Sequence, residues 1–354
     1  MGGKYQVKNL IPIMLILLIV STAFVGVSIN VEKLSDASYE GKTLFVGGTG
    51  PGNYTNIQDA INDSTDGDTV FVFSGIYYES IIVNKSIDLI GENKNETIID
   101  GEWGKIEDTI TVLNDYVHIS NFTISKNNKI NSGIKINSRN VIIFNNKIYR
   151  FRYGIRIYNT SDNIIINNDL IGNSYGISLD FLCANNYIMN NSVLDNFIGI
   201  QLYSYYPYDI LTNGNLITNN YISNNAQGIY IFDNHNSTIN NNIIINNGYC
   251  GIRVWSSSNI VIERNSIEKN YEIGIILVYS SNVLVKENNL IKNKIQAGFL
   301  APQTNIWEYN YWNNWRISYP KIIFGVNELP WWVTSLPIPW INFDLHPAKE
   351  PYDI

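Results

Sequence analysis

The sequence is short of the residues that build most stapled, metal-bound or electrostatically driven proteins. Two cysteines in 354 residues, Cys183 and Cys250, rule out a disulfide framework. The spacing of the repeat described below places them about three units apart, too far to bridge. Three histidines and three methionines leave little for a metal site. Only 16% of residues are charged and the net charge is -7. With no basic run to offset that charge, the sequence gives no electrostatic pull toward nucleic acid. No cofactor motif is present.

One long apolar run is present. Lys4 and Lys8 precede "LIPIMLILLIVSTAFVGVSI", residues 10–29, which carries no charge. This pattern reads as a signal peptide, with Ser21-x-Ala23 as a cleavage site. It is also long enough to span a bilayer as a retained anchor. Either reading exports the remainder and predicts an extracellular or cell-surface protein. Asn-x-Ser/Thr sequons at Asn53, Asn62, Asn84, Asn95, Asn121, Asn159, Asn190 and Asn236 suit an exported glycoprotein.

The rest of the chain is organised by a repeat. A Gly followed by apolar residues falls at Gly133, Gly154, Gly176, Gly199, Gly228, Gly251, Gly274 and Gly298. A second marker, Asn before x-Ile or x-Leu, falls at Asn146, Asn168, Asn191, Asn220, Asn242, Asn265 and Asn288. The two markers stay in phase across one long step, from Gly199 to Gly228. Codon bias toward Asn and Ile could not produce that. Within each unit apolar residues alternate, as Ile252 and Val254 do in "GIRVW", which means strand. About 23 residues with three short strands make one coil of a parallel β-helix. The expected fold is therefore all-β: a right-handed parallel β-helix with a short N-terminal helix cap and an aromatic C-terminal cap. The marker Asn is expected to sit at a bend and stack into a buried amide ladder, begun by Phe122. The marker Gly is expected to supply a turn conformation.

The ends read differently. "TNIQDAIND", 55–63, has Thr55-x-x-Gln58 as a capping box and apolar Ile57, Ala60 and Ile61 at helical spacing. Toward the C-terminus six of eight Trp lie in 307–340 and seven of ten Pro lie at or after Pro302. These Trp either plug and cover the last coil or stack on sugars. The domain reading is 1–29 signal or anchor, 30–43 linker, 44–300 β-helix including the helix, and 301–354 cap.

"NIQDAINDSTDGDTVFVFSGIYYESIIVNKSIDLIGENKNETIIDG", 56–101, resembles the opening of exported parallel β-helix repeat proteins of the NosD-like, carbohydrate-binding and sugar-hydrolase type, within the pectin lyase-like fold. With the Asn-rich coils the resemblance covers about 45–300. "EYNYWNNW" and "LPIPWINFDLHPAKEPYDI" are similar to C-terminal tails of archaeal NosD-like proteins. The resemblance implies the fold. It does not choose among lyase, hydrolase, esterase and non-enzyme.

Alternation places the candidate site. The second and fourth residues after each Gly point outward. One outward column reads Asn137, Tyr158, Asp180, Tyr203, Phe232, Trp255 and Val278. Its neighbour reads Lys135, Arg156, Ser178, Gln201, Tyr230, Arg253 and Ile276. Aromatic rings beside Arg and Gln suit a glycan, with Tyr158, Tyr203, Phe232, Trp255, Arg156, Gln201 and Arg253 as ligand-binding residues. A Tyr-rich insertion at 203–208 would wall one edge of the face. The opposing reading is that the aromatics only shield a β-face. Catalysis has one centre on these columns, Asp180 with Arg156, with Asp209 and Asp233 able to approach from loops. No carboxylate pair matches pectate lyase, polygalacturonase or pectin methylesterase patterns. The expected function is non-catalytic polysaccharide or surface-glycan binding, or a structural surface role. The alternatives are a lyase or glycoside hydrolase acting on an acidic polysaccharide, and a NosD-like accessory role in copper handling. For copper only Met189, Cys183, Cys250, His118, His235 and His346 remain, with Cys183 and His235 sharing one position of the repeat two coils apart.

Overall fold

The structure, a computed structural model, describes residues 41–101, 108–126, 131–204, 214–301, 304–315, 319–328 and 337–354. Each repeat folds into one coil of three strands. A representative coil has Tyr153–Tyr158, then Ile164–Ile166, then Asp169–Ile171. The next coil has Tyr175–Asp180, Tyr187–Met189 and Ser192–Leu194. Corresponding strands pair in parallel, so the coils stack into a solenoid with three faces. The strands of the third face form an 11-stranded sheet. The alternation that predicted strands also fills the interior. Ile155, Ile177, Ile200, Ile229, Ile252 and Ile275 form one inward column, and all are fully buried. Each buried Ile contributes about 1.5–3 kcal/mol. Among the described residues no helix is long and apolar enough to cross a membrane, and residues 10–29 lie outside them.

The bends are made by residues in the left-handed region directly before an inward side chain. Asn145, Asn167, Asn190, Asn219, Asn241, Arg264, Glu287 and Tyr309 all have positive φ. Each precedes a buried Asn of the ladder, from Asn146 to Asn310. Asn tolerates this conformation better than most residues because its short polar chain bonds locally. The ladder is continuous. Asn168 Oδ1 accepts from the backbone N–H and side-chain amide of Asn146, and Asn168 Nδ2 donates to Asn191 Oδ1. Phe122 begins it, its N–H donating to Asn146 Oδ1 at 3.0 Å. A second ladder, absent from the sequence reading, runs from Phe151 through Asn173, Asn196, Asn225, Asn247 and Asn270 to Asn293.

The glycines act differently from the expectation. Gly154, Gly176, Gly199, Gly228 and Gly251 lie inside strands and have no positive φ. They are required by close approach. A Cβ on Gly176 would stand 2.5 Å from the carbonyl oxygen of Gly199 and 2.7 Å from Val193 Cγ1. Gly298 is not a member of this column. Ala297 pairs with Ile275, so Gln296 takes the glycine's place and Gly298 faces Ile276.

At the N-terminal end the helix α1 spans Ile57–Asp63 and buries Ile57, Ala60 and Ile61. Its N-cap is Asn56, and the Thr55–Gln58 capping box does not form. Glu79 takes over that role: its two carboxylate oxygens accept from the N–H groups of Ile57 and Gln58 at 2.8 and 3.0 Å. A carboxylate there also meets the positive end of the helix. Gln58 instead pairs with the backbone of Ile82. The solenoid does not stop at 300. Ile306–Glu308 and Tyr311–Trp312 continue its second and third faces. An antiparallel hairpin, Lys321–Glu328 and Pro337–Asp344, then closes the end. Trp307 and Trp312 fill the last coil at 6.2 Å between ring centroids, while Trp340 is half-exposed. Trp331 and Trp332 lie outside the described residues.

Candidate functional site

The six-residue strands of the first face carry the columns read from the sequence. Tyr158, Asp180, Tyr203, Phe232, Trp255 and Val278 are in register on consecutive coils. Arg156, Ser178, Gln201, Tyr230, Arg253 and Ile276 form the adjacent column. A third outward column precedes the glycines. It holds Tyr153, Tyr175, Ile198, Gln227 and Cys250. Its signal was available as the residue before each Gly.

The rings pack on one another along the stack. Tyr153 and Tyr175 are parallel at 5.0 Å, and so are Tyr203 and Phe232 at 5.0 Å with an 18° interplanar angle. Tyr203 and Phe232 therefore each spend part of a ring face on the other, which the column alone could not show. Phe232 meets Trp255 edge-on at 5.8 Å, and Tyr158 meets Phe181 edge-on at 4.8 Å. The four rings of the binding column remain half-buried and reach the surface.

The two arginines of the face differ. Arg156 lies between the rings of Tyr153 and Tyr158 and pairs with Asp180 through Nε. Asp180 is only 4% exposed, and its second oxygen accepts from Ser178 Oγ at 2.7 Å. Gln201, 7% exposed, donates onward to Ser178 Oγ. These four polar groups form a closed network beneath the rings. Burial, followed by the Asp180 charge, pushes the Tyr153 hydroxyl above its usual pKa. Arg253 lies 4.6 Å from the Trp255 ring and 5.6 Å from the Tyr230 ring. No carboxylate among the described residues pairs with it. Of the insertion at 203–208, residues 205–208 lie outside the described residues, as does Asp209. Asp233 is a positive-φ bend residue directly after Phe232.

The metal-binding residue types are dispersed. Cys183 and Cys250 are buried and free, and burial pushes both thiols up to about 12. His118 pairs with Asp88, His235 Nδ1 lies 2.6 Å from Ser258 Oγ, and His346 stacks on Tyr309. Cys183 does not share the position of His235. Ala184 pairs with Ser161, whereas Asp180 pairs with Tyr158, so an extra residue in that bend shifts the count. The described residues contain no group of three or more His, Cys, Asp or Glu placed to hold a metal.

The sequence matches the family described as right-handed β-helix region over residues 73–213 and 204–310. The chain belongs to the right-handed β-helix family. No curated protein matches the sequence. Among solved structures it is similar to the catalytic domain of a GH87 α-1,3-glucanase in complex with tetrasaccharides. That match has TM-score 0.62 and 14% identity, and covers 78% of this chain and 60% of the domain. It is also similar to the ORF18 protein of Geobacillus virus E2, with TM-score 0.57 and 15% identity over 76% of this chain and 62% of the viral protein. A third is the A-module of a mannuronan C-5 epimerase from Azotobacter vinelandii, with TM-score 0.51 and 16% identity over 74% of this chain and 94% of the module. At these identities the likeness concerns the fold.

Proposed function

We propose that the first face is a non-catalytic binding surface for a polysaccharide or surface glycan, carried by an exported protein. One observation carries the reading: Tyr158, Tyr203, Phe232 and Trp255 stand in one half-buried column on a rigid sheet, beside a column of polar and cationic groups. Sugars present apolar ring faces with polar rims, and aromatic side chains with nearby donors match both. The glucanase complex and the epimerase module agree with a polysaccharide ligand for this architecture. Export rests on the basic and then apolar sequence of residues 4–29.

The same geometry weighs against a lyase or hydrolase centred on Asp180. Both of its oxygens are engaged, and it is buried beside Arg156. A general acid or base must reach the reacting proton. The test is a glycan array scored for both retention and product release, followed by Tyr203→Ala/Trp255→Ala. That variant should bind at least about tenfold more weakly with the fold intact, since each aromatic contact contributes roughly 1 kcal/mol or more. Asp180→Asn should retain binding. Wild-type binding by the double variant would reduce the aromatics to a shield. Loss of released unsaturated or reducing ends in Asp180→Asn would make the protein an enzyme.

A further inference from the structure

Resting on the glycan-binding reading, we infer that Arg253 forms an anion subsite on this face, so that the preferred ligand carries carboxylate or sulfate groups. Two guanidinium groups in one column stand in contrast. Arg156 and Arg253 are separated by four coil steps, about 19 Å at the usual strand spacing. Arg156 has its anion built in, because Asp180 lies in the adjacent column one coil along. At the matching place beside Arg253 the chain has Val278, and among the described residues Arg253 has no ion pair or hydrogen bond.

Its surroundings hold it ready. The guanidinium is set against Trp255, Tyr230 and Tyr249 at 4.6, 5.6 and 6.0 Å. Arg253 Nε is buried and has no hydrogen-bond partner among the described residues. The guanidinium charge is therefore uncompensated from within, and an arriving carboxylate or sulfate would neutralise it through the part of the half-buried side chain that still reaches the surface. The planar fork of Arg suits two-point recognition of such groups, and aromatic walls fix its orientation. The acidic residue felt nearby is Glu272, which acts on the buried Cys250 thiol but does not pair with Arg253.

The test uses the full chain and three oligomers of similar length: a polyuronate, a sulfated glucan and a neutral glucan. Wild type should bind at least one anionic oligomer tenfold or more tighter than the neutral one, with the preference shrinking as salt rises. The better of the two identifies the anion. Arg253→Gln should erase the preference, so that the anionic oligomers bind no tighter than the neutral one. Equal affinity for all three, or a preference that survives Arg253→Gln, overturns the subsite while the glycan-binding face stands. If wild type binds none of the three, the glycan reading fails, and the subsite is then decided separately. The Nε–H resonance of Arg253 should shift on titration with glucuronate or inorganic sulfate and not with glucose. An unchanged resonance overturns the anion subsite.

Discussion

Replacing Asn242 by Leu tests the ladder at its most connected point. Asn242 is fully buried. Its Oδ1 accepts from the backbone N–H and the side-chain amide of Asn220 at 2.9 and 3.0 Å. Its Nδ2 donates to Ile217 O, Asn240 O and Asn265 Oδ1, each at 2.9 Å. Leucine has similar bulk, so the loss is not a cavity. The Asn220 N–H is left without an acceptor, which costs about 1–3 kcal/mol, and two or three bonds of about 1 kcal/mol each disappear. After allowing for the apolar gain, the net loss is about 3 kcal/mol or more. For a chain of this size that lowers the thermal midpoint by about 4 °C or more. Because each coil contacts only its neighbours, hydrogen exchange should accelerate first in the coils on either side. The measurement is thermal unfolding of the purified chain with exchange mapping, against Asn241→Gly as control. Asn241 is a bend residue at φ 53, a conformation glycine adopts without penalty, so that variant should stay near wild type. An unchanged midpoint in Asn242→Leu would show that the ladder amides do not carry the coil.

Gly176→Ala should cost about 1–3 kcal/mol or more of stability, as overpacking does, and lower the midpoint accordingly, because its Cβ meets the Gly199 carbonyl oxygen at 2.5 Å. Gly172→Asn, at φ 65 with open space around it, should be nearly neutral in the same melt. Cys183 and Cys250 should resist thiol reagents at pH 8 until denaturant is added, and rapid labelling of native protein would contradict their burial. With both thiols pushed up to about 12 in the folded chain, the unfolded state loses those protons first. Stability should therefore fall as pH rises from about 9, by up to about 1.4 kcal/mol per unit for each thiol, and less in Cys183→Ala/Cys250→Ala. Asp344→Ala should loosen the C-terminal end, read as faster exchange at Asn310 and Trp312, because Asp344 Oδ2 accepts from both.

What the sequence could and could not reveal follows from how each feature is encoded. Register is one-dimensional, so two markers in phase placed Tyr158, Tyr203, Phe232 and Trp255 in one column. The first ladder was legible for the same reason. The second was present in the same way, in the spacing of Asn265 and Asn270, five residues apart. The reason for the glycines was hidden, because it lies in a carbonyl of the next coil and not in their own φ. Alternation called Asp180 outward, and so it is. It could not show that Arg156, Ser178 and the flanking tyrosines close over that carboxylate. Nor could a column of ring names show that Tyr203 and Phe232 lie face to face. The Cys183 position failed because counting from the Gly carries any extra bend residue into every later position.

The ladders also have a direction, and it explains residues that look out of place. Each inner Asn receives donors from the preceding coil at Oδ1, sends its backbone N–H and one amide hydrogen to the Oδ1 of the next, and turns the other amide hydrogen back to a carbonyl of the preceding coil. A first member needs only an N–H to give, and an amide there would leave its own oxygen without a donor in a buried site. Phe122, Phe151 and Val141 hold that position in three separate columns, each giving its backbone N–H to the first Asn at 3.0 Å. A last member must meet a group that accepts. Asp344 does so for Asn310, and Gln296 Oε1 does so for Asn293 at 2.8 Å. Apolar starts and oxygen-bearing ends are therefore not departures from the repeat but the chemistry its amide polarity requires at each boundary. Between such boundaries the number of coils is free, because every interior Asn offers the next coil what it took from the last.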